Sequence, residues 1–331
     1  FPYTTLFRST AGGINGKQIE YKFEDDQADS EKSVNAYNTL KDWGMQALIG
    51  TTTSTPCTAV VEKTHEDNMF QLTPSATAEN SIQYENAFRM CFSDPNQGTA
   101  SADYIADNGI ATKIAVIYNS SDTYSTGIYQ KFAEEAKNKG LDVVAAEAFT
   151  ADQNKDFSVQ IQKAKDAGAE LVFLPIYYQE ASLILAQANK AGFTPKYFGC
   201  DGMDGLLALE GFDTSLAEGV MFLTPFTADA EDEETQTFVS DFKDKFGETP
   251  IQFAADAYDC VYVIKAAAEK AEITPDMSTS EICDALKTAM TEITYDGLTG
   301  KQITWGTDGE PTKLPTVVVV EGGKYKVLEE N

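Results

Sequence analysis

Apolar and polar residues follow two alternating patterns along the chain. Short apolar runs such as QALIG (46–50), KIAVIYN (113–119) and LVFLPI (171–176) are typical of buried β-strands. The longer stretches between them repeat apolar residues every three or four positions, as one face of an α-helix does. Strands that alternate with amphipathic helices predict an α/β fold of βαβ units, in which helices cover both faces of a parallel sheet.

The predicted elements extend over nearly the whole chain. The other strands of the alternating part are QIEYKF (18–23), MFQL (69–72), LDVVAAEAF (141–149), KYFGC (196–200) and GVMFLTPF (219–226). After residue 227 three helices are predicted in series, followed by the strand-like segments KQITW (301–305) and TVVVVEGGKYKVL (316–328). With 331 residues, the chain is long enough for two such lobes.

Composition narrows the classes of partner. The net charge is −27, which would repel the phosphates of a nucleic acid, so we expect no nucleic-acid partner. The five cysteines lie far apart and His65 is the only histidine, which argues against a metal site and a catalytic triad. We interpret the cysteines as core residues, with a disulfide as the alternative, and His65 as an exposed residue.

Hydroxyl-bearing turns follow two of the predicted strands. TTTSTPCT comes after QALIG, and TPSAT comes after MFQL. Ligands of open α/β sheets bind beyond the carboxyl ends of the strands. Free amides at helix starts, together with hydroxyl donors such as Ser54 and Thr77, would hold a small anion such as a carboxylate. Helix capping is the alternative role for these residues.

Three further turns offer different chemistry. Tyr124 and Tyr177 each follow a strand and can supply an apolar wall with a polar tip. Asp201 follows KYFGC and supplies a negative charge, although an aspartate before a glycine is also common in turns. Carboxylate-binding groups on one side and an aspartate on the other would suit a zwitterion. P-loop, dinucleotide-binding and nucleophile-elbow motifs do not occur, so the sequence offers binding groups without a catalytic set.

These turns belong to a series of motifs that resembles the branched-chain amino-acid-binding proteins. The series covers about residues 11–328 and comprises AGGINGKQIEYKFEDDQADSEKSV, ALIGTTTSTPCTAV, LTPSATAEN, KIAVIYNSSDTYSTG, DFSVQIQKAKDAGAELVFLP and FAADAYDCVYVI. Proteins of this family are extracytoplasmic solute receptors of ATP-binding-cassette (ABC) importers, with the type I periplasmic-binding-protein fold. The resemblance implies two doubly wound parallel-sheet lobes that are joined by three chain crossings and close around the ligand. One lobe would be about 11–113 plus 227–312, and the other about 114–226 plus 313–331.

The resemblance also assigns ligand-binding roles in the first lobe. Ser54 and Thr77 match the residues that bind the α-carboxylate of the amino acid, and Ser75 matches a position whose carbonyl accepts from the α-ammonium. Phe253 matches an aromatic residue near the ligand side chain.

In the second lobe, the resemblance implies an aromatic and acidic set. Tyr124 and Tyr177 match aromatic residues that close over the ligand. Asp201 matches the acidic partner of the α-ammonium and has a shorter reach than the glutamate that is common there.

The chain departs from the family pattern in two places. The family usually begins with a strand, a glycine-containing loop and a helix, whereas FPYTTLFRST is too short for a strand and its crossover helix. We interpret residues 1–10 as a sequencing, assembly or cloning remnant fused to a truncated chain, and predict that the first lobe lacks a central strand and one pocket wall. The disulfide that some relatives form before the ligand serine cannot form, because Thr53 occupies that place.

Taken with these residues, the resemblance predicts a non-enzymatic receptor for a neutral L-amino acid. Tyr124, Tyr177 and Phe253 favour an aliphatic or aromatic side chain. We expect a monomer without cofactor or metal that passes its ligand to the membrane permease of an ABC importer. It would act outside the cytoplasm, either in a periplasm or lipid-anchored on the outer face of the membrane. The alternatives are a sensory domain of the same fold for an amide or other small carboxylate, and a doubly wound enzyme, which the missing motifs disfavour.

Overall fold

The computed structural model describes residues 13–328 and divides the chain into two compact units. The first unit ends at Ser93 and resumes over Asp232–Lys313. The second unit comprises Asp94–Glu231 and continues from Leu314. The chain therefore passes three times from one unit to the other.

Strands and helices of the described residues mostly alternate up to β8, although only short 3-10 segments separate β2 from β3 and β7 from β8. The helices are α1 (Ser30–Trp43), α2 (Ser54–Glu66), α3 (Asp94–Asp107), α4 (Thr123–Asn138), α5 (Ser158–Asp166), α6 (Tyr178–Lys190), α7 (Glu233–Phe246), α8 (Gln252–Lys270) and α9 (Thr279–Met290). The strands are β1 (Ala47–Ile49), β2 (Phe70–Thr73), β3 (Ala87–Arg89), β4 (Lys113–Asn119), β5 (Asp142–Phe149), β6 (Leu171–Leu174), β7 (Lys196–Gly199), β8 (Met221–Thr224), β9 (Tyr295–Gly297), β10 (Gly300–Ile303), β11 (Thr316–Glu321) and β12 (Lys324–Val327). Within residues 13–328, no helix combines the length and the apolar character needed to cross a membrane.

Most predicted elements are confirmed, and local chemistry sets their ends. α1 begins after Asp29, whose carboxylate accepts the Lys32 amide at 2.9 Å, and ends at Gly44 with a φ of 100°. α9 begins with a capping box in which Ser278 and Glu281 each accept the other's backbone amide. These bonds satisfy amides and carbonyls that a helix cannot pair by itself.

One predicted strand is wrong. Residues 18–23 pair with no strand among the described residues, and the Phe23 side chain is 65% exposed. Alternating apolar residues suit a strand, but a strand also needs a neighbour for its amides and carbonyls. Residues 1–10, which we interpret as a remnant, lie outside the described residues. The prediction of a missing first strand rests on the same segment and therefore also lies outside them.

The first unit is built around a small parallel sheet. Its strands lie in the order β1–β2–β3, and β9 and β10 form a separate antiparallel pair. The main core of this unit includes Phe70, Phe88, Cys260, Leu286 and Trp305. The core therefore joins the parallel sheet to α8 and α9.

The second unit contains a mixed sheet in the order β12–β11–β8–β7–β6–β4–β5. The five neighbouring strands β8–β7–β6–β4–β5 are parallel, whereas β11 pairs antiparallel with β8 and with β12. One core cluster, with Phe157 and Ile184, involves α5 and α6, and another, with Phe132 and Phe198, involves α3 and α4. Separate clusters on different helices are what a sheet covered on both faces requires.

The first crossing of the chain differs from the predicted one. We placed it after residue 113, whereas the structure places it between Ser93 and Asp94, so that α3 belongs to the second unit. α3 packs closely on α4, and a Cβ added at Gly98 would lie 2.7 Å from both Ile128 O and Phe132 N. Such close packing of two backbones fixes the helix to the unit of its neighbour.

The cysteines and His65 lie where the sequence placed them. All five cysteines are buried and none forms a disulfide, which confirms their interpretation as core residues. His65 is exposed and stacks on Tyr84 with 4.1 Å between ring centroids.

A buried ion pair lies at the end of the first unit. Lys313, the last residue of this unit, donates from Nζ to Asp256 Oδ1 at 2.9 Å, to Thr299 Oγ1 at 2.7 Å and to Met90 O at 3.1 Å. Burial raises the pKa of Asp256 to about 6, although the neighbouring Lys313 charge opposes the rise. Lys313 thus keeps a buried carboxylate ionised and joins β3's end to α8.

We expect Lys313→Met to lower the free energy of unfolding by about 3–5 kcal/mol, because it leaves Asp256 buried without its cation. Lys301→Met is the matched control, since Lys301 pairs with Glu234 at 2.8 Å on the exposed surface. The control should cost less than about 1 kcal/mol. Urea denaturation measures both, and equal losses would contradict a special role for the buried pair.

Candidate functional site

The predicted ligand-binding residues fall into two groups, one in each unit. The first half-site, in the first unit, consists of Ser54, Ser75, Thr77 and Phe253. The second half-site, in the second unit, consists of Tyr124, Tyr177 and Asp201.

Ser54 joins the turns that follow β1 and β2. Its Oγ accepts the backbone amides of Thr77 and Ala78, each at 3.1 Å. Those two bonds occupy the lone pairs of the oxygen, so the hydroxyl proton remains to be donated. No described residue accepts this proton. Ser54 also does not cap α2, because the N-cap position is Thr53 and makes no side-chain capping bond.

Thr77, whose amide binds Ser54, also carries a buried hydroxyl. Its side chain is fully buried, and its Oγ1 has no hydrogen-bond partner within residues 13–328. Buried hydroxyls in folded proteins normally have a partner, because leaving one unpaired costs about 1–3 kcal/mol. A ligand oxygen would supply that partner, so this hydroxyl is the clearest structural sign of a ligand in the first half-site.

Ser75 and Phe253 contribute differently. The Ser75 hydroxyl donates to Thr52 O at 2.7 Å, so its side chain braces the two turns. Its carbonyl oxygen accepts no hydrogen bond from the described residues. Phe253 is half-buried at the start of α8 and takes no part in the hydrogen bonds that join the other three residues.

The second half-site is a connected cluster. Tyr124 donates from its hydroxyl to Asp201 Oδ1 at 2.7 Å and accepts the Gly202 amide at 2.9 Å. The rings of Tyr124 and Tyr177 stack, with 4.9 Å between centroids. Burial and the nearby Asp201 charge raise the pKa of Tyr124 well above its usual value, so its hydroxyl stays a donor. The structure therefore brings all three predicted residues together.

Asp201 is held as a buried carboxylate at the end of β7. It is only 3% exposed, and its backbone amide donates to Gln97 Oε1 at 3.0 Å. The glycine after it is sterically required, since a Cβ at Gly202 would lie 2.8 Å from the Tyr124 hydroxyl and 2.9 Å from Ile176 O. Asp201-Gly202 is thus more than a turn sequence, because it fixes the carboxylate beside Tyr124.

Sequence reasoning missed three residues that support the half-sites. Gln97 accepts the amide of Asp201, and the amide of Gly202 donates to the Tyr124 hydroxyl beside Asp201. Both bonds join residues that are distant in sequence. Arg89 is fully buried and donates to carbonyls of the loop that carries Thr77. An arginine inside the apolar run NAFRMCF was the one available signal, because a charge in such a run must be paired. Among the described residues, no group of three or more His, Cys, Asp or Glu side chains is placed to hold a metal ion.

Removal of the Tyr124 hydroxyl tests the second cluster. We expect Tyr124→Phe to lower the free energy of unfolding by about 1–3 kcal/mol, because Gly202 N and Asp201 each lose a buried partner. Tyr129→Phe, in the same helix, is the control, since the Tyr129 hydroxyl makes no hydrogen bond with a described residue. Chemical denaturation measures the free energy of unfolding of both variants. A loss in Tyr124→Phe as small as that in Tyr129→Phe would contradict the role of the Tyr124 hydroxyl in the cluster.

Comparison with known proteins places the chain among solute-binding proteins. The model of the periplasmic binding protein family matches residues 6–324. Leu/Ile/Val-binding protein homolog 3 of Brucella melitensis is 30% identical over 271 residues, which cover 80% of this chain and 72% of that protein.

Solved structures show the same similarity. The leucine-binding protein LivK of Thermotoga maritima has a TM-score of 0.87 at 25% identity, covering 98% of this chain and 91% of that one. LivJ of Streptococcus pneumoniae, solved in complex with isoleucine, has a TM-score of 0.87 at 26% identity, covering 99% of this chain and 92% of that one. The predicted type I fold is thereby confirmed. The chain belongs to the periplasmic binding protein family, in the group of the branched-chain amino-acid-binding proteins that its motifs resemble.

Proposed function

We propose that this chain binds a neutral L-amino acid with an aliphatic or aromatic side chain and delivers it to an ABC importer. Its family and fold are those of substrate-binding proteins. The observation that carries the proposal is the contrast between the half-sites. One offers hydroxyl protons without acceptors, and the other offers a buried carboxylate.

The first half-site suits the α-carboxylate. The Ser54 proton and the Thr77 hydroxyl can each donate to one carboxylate oxygen, and such charge-assisted bonds are stronger than neutral ones. The amides that bind Ser54 keep its oxygen fixed before the ligand arrives, which reduces the entropy lost on binding.

The second half-site suits the α-ammonium. Asp201 is buried, and a buried carboxylate is stabilised by a paired cation. The Tyr124 hydroxyl donates to Asp201 Oδ1 and so orients the carboxylate. The carbonyl of Ser75 in the first unit is a further acceptor for the ammonium. The first half-site would then bind the carboxylate of a zwitterion, and the second would bind its ammonium.

The apolar residues and the relatives support a neutral side chain. Tyr177 and Phe253 are the aromatic residues that the family resemblance assigns to the ligand side chain. LivJ was solved with isoleucine, and the Brucella relative is named for leucine, isoleucine and valine. By the same relationship we propose that this chain acts outside the cytoplasm, as a non-enzymatic partner of the importer's membrane permease.

Ligand binding is tested by isothermal titration calorimetry with L-leucine, L-isoleucine, L-valine and L-phenylalanine. We expect at least one of them to bind and its D-form not to bind, because the mirror image cannot satisfy both half-sites and the apolar surface together. A thermal-shift assay gives an independent readout, since a ligand at one hundred times its Kd stabilises the folded state by about 2.7 kcal/mol. Equal binding of L- and D-forms, or of none, would refute the proposal.

Asp201→Asn tests the ammonium partner within the same titration. We expect the affinity for the bound L-amino acid to fall by about 10-fold to 100-fold, because a charge-assisted bond becomes a neutral one. Asp142→Asn is the control, since it removes one negative charge from an exposed position of the second unit. A similar loss in both variants would mean that overall charge, and not Asp201, controls affinity.

A further inference from the structure

We propose that Arg89 is a positioning residue that gives Ser54 its preference for an anionic ligand group. The inference rests on the proposed function, because it takes the first half-site to bind a carboxylate. Arg89 would act through the backbone of the loop at residues 76–79.

Arg89 grips that loop from inside the first unit. Its side chain is fully buried at the end of β3, and it is the only arginine in the sequence between residues 13 and 328. The guanidinium donates to the carbonyl oxygens of Ala76 at 3.2 Å, Thr77 at 2.5 Å and Ala78 at 3.0 Å. A longer contact of 3.5 Å reaches Glu79 O, so four consecutive carbonyls are turned toward one cation.

The same peptide groups connect Arg89 to Ser54. The peptide between Ala76 and Thr77 accepts from Arg89 Nη1 at its oxygen and donates from Thr77 N to Ser54 Oγ. The peptide between Thr77 and Ala78 does the same, through Thr77 O and Ala78 N. Two parallel chains of hydrogen bonds thus run from one guanidinium nitrogen to one hydroxyl oxygen.

These chains have an electrostatic direction. Hydrogen bonds in series polarise one another, so a cation at the carbonyl end makes each N–H a stronger donor. Ser54 Oγ accepts two such donors, which makes its own proton more acidic and a better partner for a carboxylate. The guanidinium is a cation, and its burial limits screening by solvent. In a chain of net charge −27, this local cation offsets the surrounding negative field.

Glu310 partly neutralises the cation from the other side. Its Oε1 lies 3.2 Å from Arg89 Nη2, and its side chain is 35% exposed. Removing the Glu310 charge would leave the guanidinium less compensated. If Arg89 acts electrostatically, that change strengthens carboxylate binding. If Arg89 only fills the hydrogen bonds of the loop, losing its ion-pair partner loosens it and weakens binding or leaves it unchanged.

Three variants separate these roles: Arg89→Met, Arg89→Lys and Glu310→Gln. The ligands are L-leucine and 4-methylpentanoate, which is leucine without its amino group, and calorimetry gives their Kd values. We expect Glu310→Gln to tighten the binding of both by about 1.5-fold to 5-fold. We expect Arg89→Met to weaken it by about 10-fold to 100-fold, and Arg89→Lys, which keeps the charge, to recover part of the loss.

The control is Glu85→Gln, which removes an equal charge from an exposed position of the first unit and should leave both Kd values unchanged. If Arg89→Met does not fold, Glu310→Gln and Arg89→Lys decide the question. Weaker or unchanged binding in Glu310→Gln overturns the proposal. Binding by Arg89→Lys that is as poor as that of Arg89→Met also overturns it.

The outcomes also distinguish this proposal from the proposed function. If the unmodified protein binds 4-methylpentanoate but none of L-leucine, L-isoleucine, L-valine and L-phenylalanine, the amino-acid function fails, and the effect of Glu310→Gln on 4-methylpentanoate still tests Arg89. If L-leucine binds and Glu310→Gln weakens it, the function stands and the role of Arg89 is wrong. If another of the four L-amino acids binds in place of L-leucine, it replaces L-leucine in the same comparison. If neither 4-methylpentanoate nor any of the four binds, both proposals are overturned.

Discussion

Two backbone amides bind one oxygen atom, Ser54 Oγ, and the chemistry of the first half-site depends on that pair of bonds. They fix the turn after β2 against the start of α2. They also occupy both lone pairs of the oxygen, so the serine proton is left to be donated to a ligand. The buried Thr77 hydroxyl adds a second donor, and Arg89 orients the loop that carries it. Preorganised donors of this kind favour an anion because little has to be ordered when the ligand arrives.

The second half-site carries a group of the opposite character, a carboxylate. Asp201 is kept in a buried place by a short bond from Tyr124 and by Gln97 at its amide. Gly202 makes the close approach possible. Each unit holds its own group by contacts within itself, so the two half-sites that we propose for a zwitterion are each formed separately.

Much of the fold could be predicted from the sequence because it is written in local patterns. β4 coincides with the predicted strand KIAVIYN, and the capping residues of α1 and α9 determine where these helices begin. The failures have nonlocal causes. Residues 18–23 have the alternation of a strand but no partner among the described strands, and β3 is too short to give a pattern. α3 joins the second unit through packing on α4 that no local pattern reveals.

The candidate site shows the same division. The turn positions after strands identified Ser54, Thr77 and Asp201, because parallel sheets place ligands there. The residues that orient them were not predicted, since Arg89 and Gln97 bind main-chain atoms of residues that are distant in the sequence. Hydrogen bonds to the main chain leave no signature in a single sequence, beyond the presence of a polar residue where an apolar one is expected.

The most direct test is a crystal structure of the protein with its bound L-amino acid. The geometry predicts carboxylate oxygens within hydrogen-bond distance of Ser54 Oγ and Thr77 Oγ1, with the ammonium within hydrogen-bond distance of Asp201. A ligand bound in the reverse orientation, or one whose carboxylate is held by other residues while the Thr77 hydroxyl stays unpaired, would contradict the assignment of the two half-sites.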